Sequence, residues 1–238
     1  MTSEFGREFI KGARDTIPLI LGAIPFGIIF GTLASGTGLS FWAAMAMSLF
    51  VFAGSAQFIA IGLVSQGTGW LVIVLTTLVV NLRHLLYGAS LVPYYRKLSG
   101  AWKALLSFGL TDETFAVSFM RYRKKDGSEN KHYYNLGSMV LMYINWNLCT
   151  LAGLTIGKTV PGIEKWGLDF AMPATFIGMV IPYLVSSPMW AAVFTAGIVS
   201  VALNVLPHKL GLMAAAVAGT AAGVFCEYLN KNRAATDE

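Results

Sequence analysis

Long apolar segments, interrupted by short polar stretches, set the pattern of the whole chain. A helix of roughly 20 mostly apolar residues crosses the hydrocarbon core of a bilayer, and several segments have about that length. They lie at about 17–35, 41–65, 70–92, 134–156, 170–185, 188–206 and 210–229, with a weaker one at 102–120. The pattern therefore predicts an all-α integral membrane protein with seven or eight transmembrane helices.

The weaker segment at 102–120 decides between those two numbers. It carries Thr111-Asp112-Glu113-Thr114 at its centre, and charged side chains are costly in lipid. Two alternatives stay open. The segment crosses while other helices shield it, or it dips into the membrane without crossing, which moves the C-terminal tail to the outside.

Two stretches predict broken helices and an internal repeat. Phe52-Ala53-Gly54-Ser55-Ala56-Gln57-Phe58 contains a Gly-Ser pair, a common place for a helix to break, and Met172-Pro173-Ala174 contains a helix-breaking proline. Both stretches share a Phe-Ala-x-x-Ala-x-Phe-Ile pattern, and further matches follow in the same order. The predicted organisation is a cytoplasmic N-terminal segment (1–16), a first transmembrane repeat (17–120), a basic polar linker (121–133), a second repeat (134–229) and a frayed polar tail (230–238).

Composition and charge support a membrane location. Hydrophobic residues make up 55% of the 238 residues and charged ones only 12%, whereas soluble domains carry about 25% charged residues. The net charge of +5 comes from basic residues in the loops between apolar segments. That placement is a topology signal and puts the N-terminus in the cytoplasm; the partner it predicts is the lipid bilayer, not a nucleic acid.

The broken helices are the first candidate for substrate binding. A break exposes N–H groups that attract carboxylates and carbonyl groups that attract cations. The residues concerned are Gly54, Ser55 and Gln57 in the first half and Pro173 and Thr175 in the second. The alternative is that the small residues at these positions only allow helices to pack closely.

Ionisable residues in the apolar segments are the second candidate. An Arg at the centre of a membrane helix costs roughly 2.5–3.5 kcal/mol on insertion scales, so Arg83 needs a partner, either Asp112 or Glu113 or a substrate carboxylate. Asn81 and Tyr87 flank it as further candidates for substrate binding.

Three titratable side chains in the same region are the candidates for ion coupling. His84 can exchange a proton near neutral pH, or it is a structural histidine. Asp112 and Glu113, adjacent in the chain, either face the transport pathway or lie hydrated at the membrane interface.

Common enzyme motifs are absent from the sequence. It contains no nucleotide-binding loop, no Gly-x-Ser-x-Gly, no His-Glu-x-x-His and no Cys-x-x-Cys. We therefore expect no enzymatic activity, no cofactor and no metal. The alternatives to a transporter are a passive channel subunit and an intramembrane acid–base enzyme that uses His84, Asp112 and Glu113.

Three motifs resemble those of the AzlC-type permease family. They are the Phe52–Phe58 stretch, Asn81-Leu82-Arg83-His84-x-x-Tyr87-Gly88-Ala89-Ser90, and Leu110-Thr111-Asp112-Glu113-x-Phe115-Ala116. The resemblance implies a multi-pass protein of the bacterial inner membrane that exports valine, leucine, isoleucine and sometimes methionine. It also implies use of the proton gradient and a small AzlD-type membrane protein as partner.

Overall fold

A computed structural model describes residues 4–124, 126–159, 184–206 and 210–236, together with 177 and 181. Every regular element in these ranges is a helix, which confirms the predicted all-α fold. The chain divides into two compact units with the boundary between residues 175 and 176. Each unit is therefore described by itself.

The first unit contains α1 to α8 and one π-helix. Their bounds are α1 Glu4–Gly36, α2 Phe41–Ala46, the π-helix Met47–Val51, α3 Gly54–Ser65, α4 Trp70–Asn81, α5 Arg83–Tyr95, α6 Gly100–Phe108, α7 Asp112–Arg123 and α8 Lys131–Thr159. Among the described residues, three stretches are long and apolar enough to cross a membrane: α1, α4 continued by α5, and α8 up to Ile156. These match three of the predicted spans.

Helices α1 and α8 form a parallel pair that is the core of the first unit. The Tyr134 hydroxyl donates to Asp15, Thr16 to Ser138, and Thr32 to the Gly153 carbonyl. The paired residues are 119, 122 and 121 positions apart in the chain. A nearly constant separation along the whole pair means that both helices run in the same direction, so each residue of α8 marks a depth along α1.

Glycines let the backbones of α1 and α8 approach closely. A Cβ at Gly31 would overlap backbone atoms of Thr150 and Gly153, and one at Gly153 would overlap the Ile28 carbonyl. Small residues at helix contacts are typical of membrane proteins, where close backbone packing replaces the hydrophobic effect as the driving force.

Residues 41–65 form a helical hairpin, hairpin A, that enters from the Gly36 end of α1 and returns to it. On the way in, Ser48 reaches Thr150 at 2.8 Å and the Leu49 carbonyl accepts from Tyr143. On the way back, Gly54 contacts Trp146. Ser65, at the end of α3, then lines a cleft of about 360 Å³ together with Thr32, Gly36 and Thr37 of the region where α1 ends.

Residues 100–123 form a second hairpin, hairpin B, that enters from the opposite end. Trp102 packs against His132 and Tyr133 at the start of α8, and Phe108 reaches Tyr143. At the end of α7, Arg121 lies over the ring of Tyr134 at 5.7 Å. Hairpin B therefore rises to the middle of α8 and returns.

Both hairpins are too short in each arm to cross a bilayer. The arms of hairpin A have 11 (6 + 5) and 12 residues, and those of hairpin B have 9 and 12, which is at most about 18 Å at 1.5 Å per residue. Of the two alternatives for 102–120, the structure favours the segment that dips in without crossing. The predicted span at 41–65 breaks as expected, but its second half reverses direction.

The second unit contains α9 (Ser187–Ala202) and α10 (Leu210–Thr236). They pack through small residues, since a Cβ at Gly219 would meet Ala192 and Ala196. Asn230 donates to Ser187 at 3.0 Å. Helix α10 continues into the predicted polar tail as far as Thr236. The predicted break at Met172-Pro173-Ala174 lies outside the described residues, so the internal repeat of the two halves stays a prediction.

Candidate functional site

The tips of the two hairpins meet near the middle of α8. Phe52 at the tip of hairpin A stacks on Phe108 at the tip of hairpin B, with ring centroids 6.3 Å apart. Tyr143 of α8 contacts both rings, at 5.0 and 5.9 Å. Non-helical backbone at membrane depth occurs only where protein or a water-filled cavity surrounds it. The meeting point of the tips is therefore the candidate functional site.

The tip of hairpin A has an irregular backbone. A π-helix over Met47–Val51 leads to Phe52, which has φ +46° and ψ +40°, and then to Ala53 with φ −135° and ψ +88°. Phe52 is the one non-glycine residue with positive φ in the described chain. Both π-helical turns and such left-handed residues concentrate at functional sites. The predicted break is confirmed, two residues before the Gly54-Ser55 pair.

Gln57 lies in a buried hydrogen-bond network rather than in an open pocket. Its side-chain NH₂ donates to Ser48 at 3.0 Å, and its carbonyl oxygen accepts from the Trp146 indole at 3.1 Å. Ser48 in turn bonds Thr150 of α8. Gln57, Ser48 and Thr150 are all 0% exposed, so this network fastens hairpin A to α8.

The tip of hairpin B is well capped. Thr111 precedes α7, accepts a hydrogen bond from the Thr114 N–H, and donates its own N–H to the Thr114 hydroxyl. Asp112 and Glu113 occupy the first turn of α7, where the partial positive charge of a helix N-terminus favours carboxylates. The polar stretch that weakens 102–120 as a span is thus the start of a helix at the hairpin tip.

Asp112 joins hairpin B to the middle of the α4–α5 span. Its carboxylate accepts from Arg83 at 2.5 Å and from the Tyr87 hydroxyl. Tyr87 also stacks on Phe115 of α7 at 4.5 Å. The Arg83 and Asp112 side chains are 22% and 16% exposed, so the pair is largely but not fully shielded. Of the partners predicted for Arg83, the structure selects Asp112.

The remaining candidates lie around this pair, where two buried polar atoms lack a hydrogen-bond partner. The side-chain oxygen of Asn81 and the Nε of Arg83 are buried without a hydrogen-bond partner. His84 is 3.1 Å from the Asn81 carbonyl and contacts Tyr87 edge-on. No ion pair of Glu113 is found within the described ranges, and it is partly buried beside Asp112. Buried polar atoms that lack partners mark places where a ligand or water can bind.

The predicted residues thus form two groups. Asn81, Arg83, His84, Tyr87, Asp112 and Glu113 come together beside the tip of hairpin B, whereas Gly54, Ser55 and Gln57 lie at the tip of hairpin A. No hydrogen bond or ion pair of the described residues joins the two groups; they approach through Phe52 and Phe108. Pro173 and Thr175 lie outside the described residues.

Sequence reasoning missed the residues that complete the site. Ser48, Phe108, Tyr143 and Thr150 carry no motif, and their role follows only from the folding back of the hairpins. Trp146 gave a signal, because it lies within Asn145-Trp146-Asn147, a polar interruption in the middle of an apolar segment.

A charged cluster closes the Glu8 end of the first unit. The Arg121 side chain, 3% exposed, donates twice to Glu8 at 3.1 and 2.6 Å and also pairs with Asp126. Asp126 also pairs with Lys131 at 3.1 Å. Hydrogen bonds from Lys131 and Arg121 hold the pKa of Asp126 well below its usual value. Asp126 therefore stays charged on acidification to a lower pH than a free carboxyl group does.

Half-length helical hairpins that meet between membrane-spanning helices define a class: polytopic helical membrane proteins with broken helices at mid-membrane depth, an architecture typical of transporters. Comparison with known proteins narrows the class. The chain belongs to the AzlC family, whose model, described as AzlC protein, matches residues 18–160. The matched region contains α1 from residue 18 and all of α2 to α8, and therefore both hairpins.

Several relatives are similar over most of their length. A membrane protein of Archaeoglobus fulgidus without an assigned function is 34% identical over 89% of this chain and 92% of its own. The branched-chain amino acid transport protein AzlC of Bacillus subtilis is 31% identical over 74% of this chain and 67% of its own. The inner membrane protein YgaZ of Escherichia coli is 28% identical over 73% and 72%. No solved structure matches the chain.

Fold and family together make this chain a membrane protein of transporter type, as the resemblance of its three motifs implied. Among the described residues, no three His, Cys, Asp or Glu side chains converge to form a metal site.

Proposed function

We propose that the protein is a secondary transporter that exports branched-chain amino acids, driven by the proton gradient. The observation that carries the proposal is the pairing of Arg83 with Asp112, beside the point where two hairpin tips meet. An ionisable residue within a membrane segment is a functional candidate by default, and here a cation, an acid and a broken helix lie together. The substrate name of the Bacillus relative supplies the substrate class.

The Arg83–Asp112 pair gives a mechanism for coupling. While Asp112 is ionised, it occupies Nη1 of Arg83 and accepts from Tyr87, which fixes the guanidinium. The unpartnered Nε of the fixed guanidinium binds the carboxylate of the substrate, and the unpartnered side-chain oxygen of Asn81 accepts from its ammonium group. Protonation of Asp112 removes the charge that holds Arg83, so the guanidinium moves and the substrate leaves. Because proton and substrate bind alternately, proton entry drives substrate export.

The tip of hairpin A supplies the second part of the substrate site. No side chain caps the start of α3 and no acidic residue lies in its first turn, so the N–H groups of Gly54 and Ser55 favour an anionic group. Glu113, which makes no ion pair within the described chain, is the acid that we assign to the substrate ammonium. An apolar pocket of Phe and Met side chains takes the aliphatic chain.

His84 completes the proposed proton path. It lies one residue from Arg83 and contacts Tyr87, whose hydroxyl reaches Asp112. A neutral imidazole can accept a proton from one side and pass it on from the other. His84 is therefore the group that we assign to proton exchange with Asp112.

The setting of the proposed activity follows from the family resemblance. We propose that the protein lies in the bacterial inner membrane with its N-terminus in the cytoplasm and acts with a small AzlD-type membrane subunit. The α4–α5 span offers room for a partner, since only 6% of its apolar stretch is buried, against 44% for α1.

The test is a transport measurement in proteoliposomes loaded with labelled leucine, with and without the small subunit and an imposed pH gradient. We expect leucine efflux that the gradient accelerates, and loss of that efflux in Arg83→Ala although the variant still inserts. Efflux that does not respond to the pH gradient would instead indicate a passive channel. Efflux at the wild-type rate from Arg83→Ala would show that Arg83 takes no part in the mechanism.

A further inference from the structure

The first unit contains two similar arrangements in opposite orientation. Hairpin A is followed by the α4–α5 span, and hairpin B is followed by the α8 span. Hairpin A enters from the Gly36 end and its span leads to the Glu8 end, where Tyr95 meets Asn135 near the start of α8. Hairpin B enters from that Glu8 end, and α8 leads back to the Gly36 end. Each hairpin with the span that follows it is therefore an inverted counterpart of the other hairpin and span.

The contacts of the two tips follow the same inversion. The first residue after the break in hairpin A, Gly54, contacts Trp146 in the middle of α8. The first residue after the break in hairpin B, Asp112, contacts Arg83 and Tyr87 in the middle of the α4–α5 span. Each tip thus contacts the span that follows the other hairpin, and Phe52 and Phe108 contact each other between the two tips.

The two tips differ in how well the backbone N–H groups at the start of the returning helix are hydrogen-bonded. At hairpin B, a reciprocal cap between Thr111 and Thr114 closes the start of α7. At hairpin A, the start of α3 has no side-chain cap, and Phe52 holds a left-handed conformation that a non-glycine residue rarely adopts. Strain persists only where the surroundings impose it and is often part of a mechanism. Rearrangement at the tip of hairpin A would therefore relieve more backbone strain than rearrangement at the tip of hairpin B.

Burial shows what holds Phe52 in place. Its side chain is 3% exposed and packs on Tyr143 and Phe108, whereas Phe108 is 45% exposed. One side of the aromatic contact, at Phe108, is therefore open to the surface, whereas the ring of Phe52 fills the other side. Removal of the Phe52 ring would therefore connect the open side with the interior of the unit.

We infer that Phe52 and Phe108 are a gate between the two hairpin tips, with Phe52 as the moving part, and that they select solutes with an apolar side chain. In the closed state described here the two rings cover each other. In the open state the aliphatic side chain of the solute replaces Phe108 against the ring of Phe52. A small or polar solute leaves both rings exposed, so it does not favour opening.

This inference rests on the proposed function for the identity of the solute and deepens it. The test compares Phe52→Gly and Phe108→Ala with a matched control, Phe50→Ala. Glycine keeps the left-handed backbone of residue 52 accessible and removes only the ring. Phe50 lies two residues earlier and is 76% exposed, so its ring lies outside the contact.

Efflux of labelled leucine and labelled glycine is measured from proteoliposomes without any pH gradient. We expect both gate variants to leak and to lose about tenfold discrimination between leucine and glycine, within the range that apolar contacts contribute. Phe50→Ala should behave as the wild type. Wild-type rates and selectivity in both Phe52→Gly and Phe108→Ala would overturn the inference. Phe108→Leu, which keeps an apolar side chain, replaces Phe108→Ala if that variant does not insert.

The result also separates this inference from the proposed function. A wild type without leucine efflux, together with leaking gate variants, would contradict the transport of leucine but support the gate. A wild type with gradient-driven leucine efflux, together with unchanged gate variants, would contradict the gate alone.

Discussion

At the scale of single residues, Arg83 shows how a charge is accommodated in an apolar segment. Its guanidinium is neutralised by Asp112, which also accepts from Tyr87 and benefits from the start of α7. Removing one member of a fully buried pair costs roughly 3–5 kcal/mol, because the other charge is left uncompensated, and the partial exposure of this pair lowers that cost. The pair thus ties hairpin B to the α4–α5 span as long as both groups are ionised.

We predict that Asp112→Asn keeps the exchange of leucine across the membrane but abolishes its coupling to the proton gradient. The amide still reaches Arg83 and Tyr87, but it cannot take up a proton, so leucine should exchange across the membrane without responding to a pH gradient. Counterflow and gradient-driven flux in proteoliposomes check this, with Glu129→Gln, at an exposed position before α8, as the matched control. Loss of the gradient response in Glu113→Gln but not in Asp112→Asn would assign coupling to Glu113.

Gln57 gives a prediction on stability. Gln57→Leu leaves the Trp146 indole N–H without its partner, while Ser48 keeps its bond to Thr150, and an unsatisfied buried polar group costs roughly 1–3 kcal/mol. Thermal unfolding in detergent should therefore occur at a lower temperature. Gln66→Leu, at an exposed position, should melt like the wild type, and equal melting of both variants would show that the network contributes nothing.

These residues also show how much of the site could be predicted from the sequence. That Arg83 needs an acidic partner follows from the cost of an isolated charge in lipid, and the sequence offered only two acids in a central apolar segment. Which of the two it contacts depends on the rotation of α7. The network around Gln57 was not predictable, because Ser48 and Thr150, which bond each other in it, are ordinary residues of apolar segments and 102 positions apart.

At the scale of elements, the packing of α1 on α8 depends on glycine. Gly27, Gly31 and Gly153 leave no room for a side chain, since each faces atoms of the other helix. In the sequence, Gly27 and Gly31, and Gly153 and Gly157, have Gly-x-x-x-Gly spacing, but the spacing does not show that the two helices contact each other or run parallel.

We predict that Gly31→Ala disrupts this pair, because a Cβ there would overlap the backbone of α8. Gly62→Ala is the matched control, since a Cβ at Gly62 meets nothing within 4 Å, and alanine favours a helix over glycine by about 1 kcal/mol. The yield of folded protein and the melting temperature in detergent should fall for Gly31→Ala and hold or rise for Gly62→Ala. The reverse order would contradict the described packing.

The hairpins mark the limit of prediction from hydrophobicity. An apolar segment of suitable length is equally compatible with one crossing and with two half-crossings, because length and apolarity carry no direction. The breaks themselves were visible, at the Gly54-Ser55 pair and at the polar Thr111–Thr114 stretch. The reversal of direction follows only from the contacts of each arm with α8.

At the scale of the whole molecule, the hairpins change the topology of the first unit. Residues 37–40 and 66–69 flank hairpin A and lie at the same end of the first unit. Residues 96–99, 124 and 126–130 flank hairpin B and lie at the other end. Straight crossings would place the two loops of each pair on opposite sides of the membrane.

We predict that Thr37→Cys and Gln66→Cys react with a membrane-impermeant thiol reagent from the same side, and that Lys97→Cys and Glu129→Cys react from the other. Each is made in a chain in which Cys149 and Cys226 are replaced by Ala. Labelling of right-side-out and inside-out vesicles gives the readout. Opposite labelling within either pair would show that the hairpin crosses the membrane.

The dependence of hairpin A on α8 has a consequence for biosynthesis. Ser48, Gln57 and Leu49 find their partners at Thr150, Trp146 and Tyr143, which the ribosome adds about ninety to one hundred residues later, several seconds at usual elongation rates. During that interval the nascent hairpin has its contacts with α1, such as Phe58 on Phe26 and Phe30, but lacks its hydrogen bonds to α8. Its final placement is therefore a late step that waits for translation of α8, and nascent chains arrested before Tyr143 should retain a hairpin open to proteases.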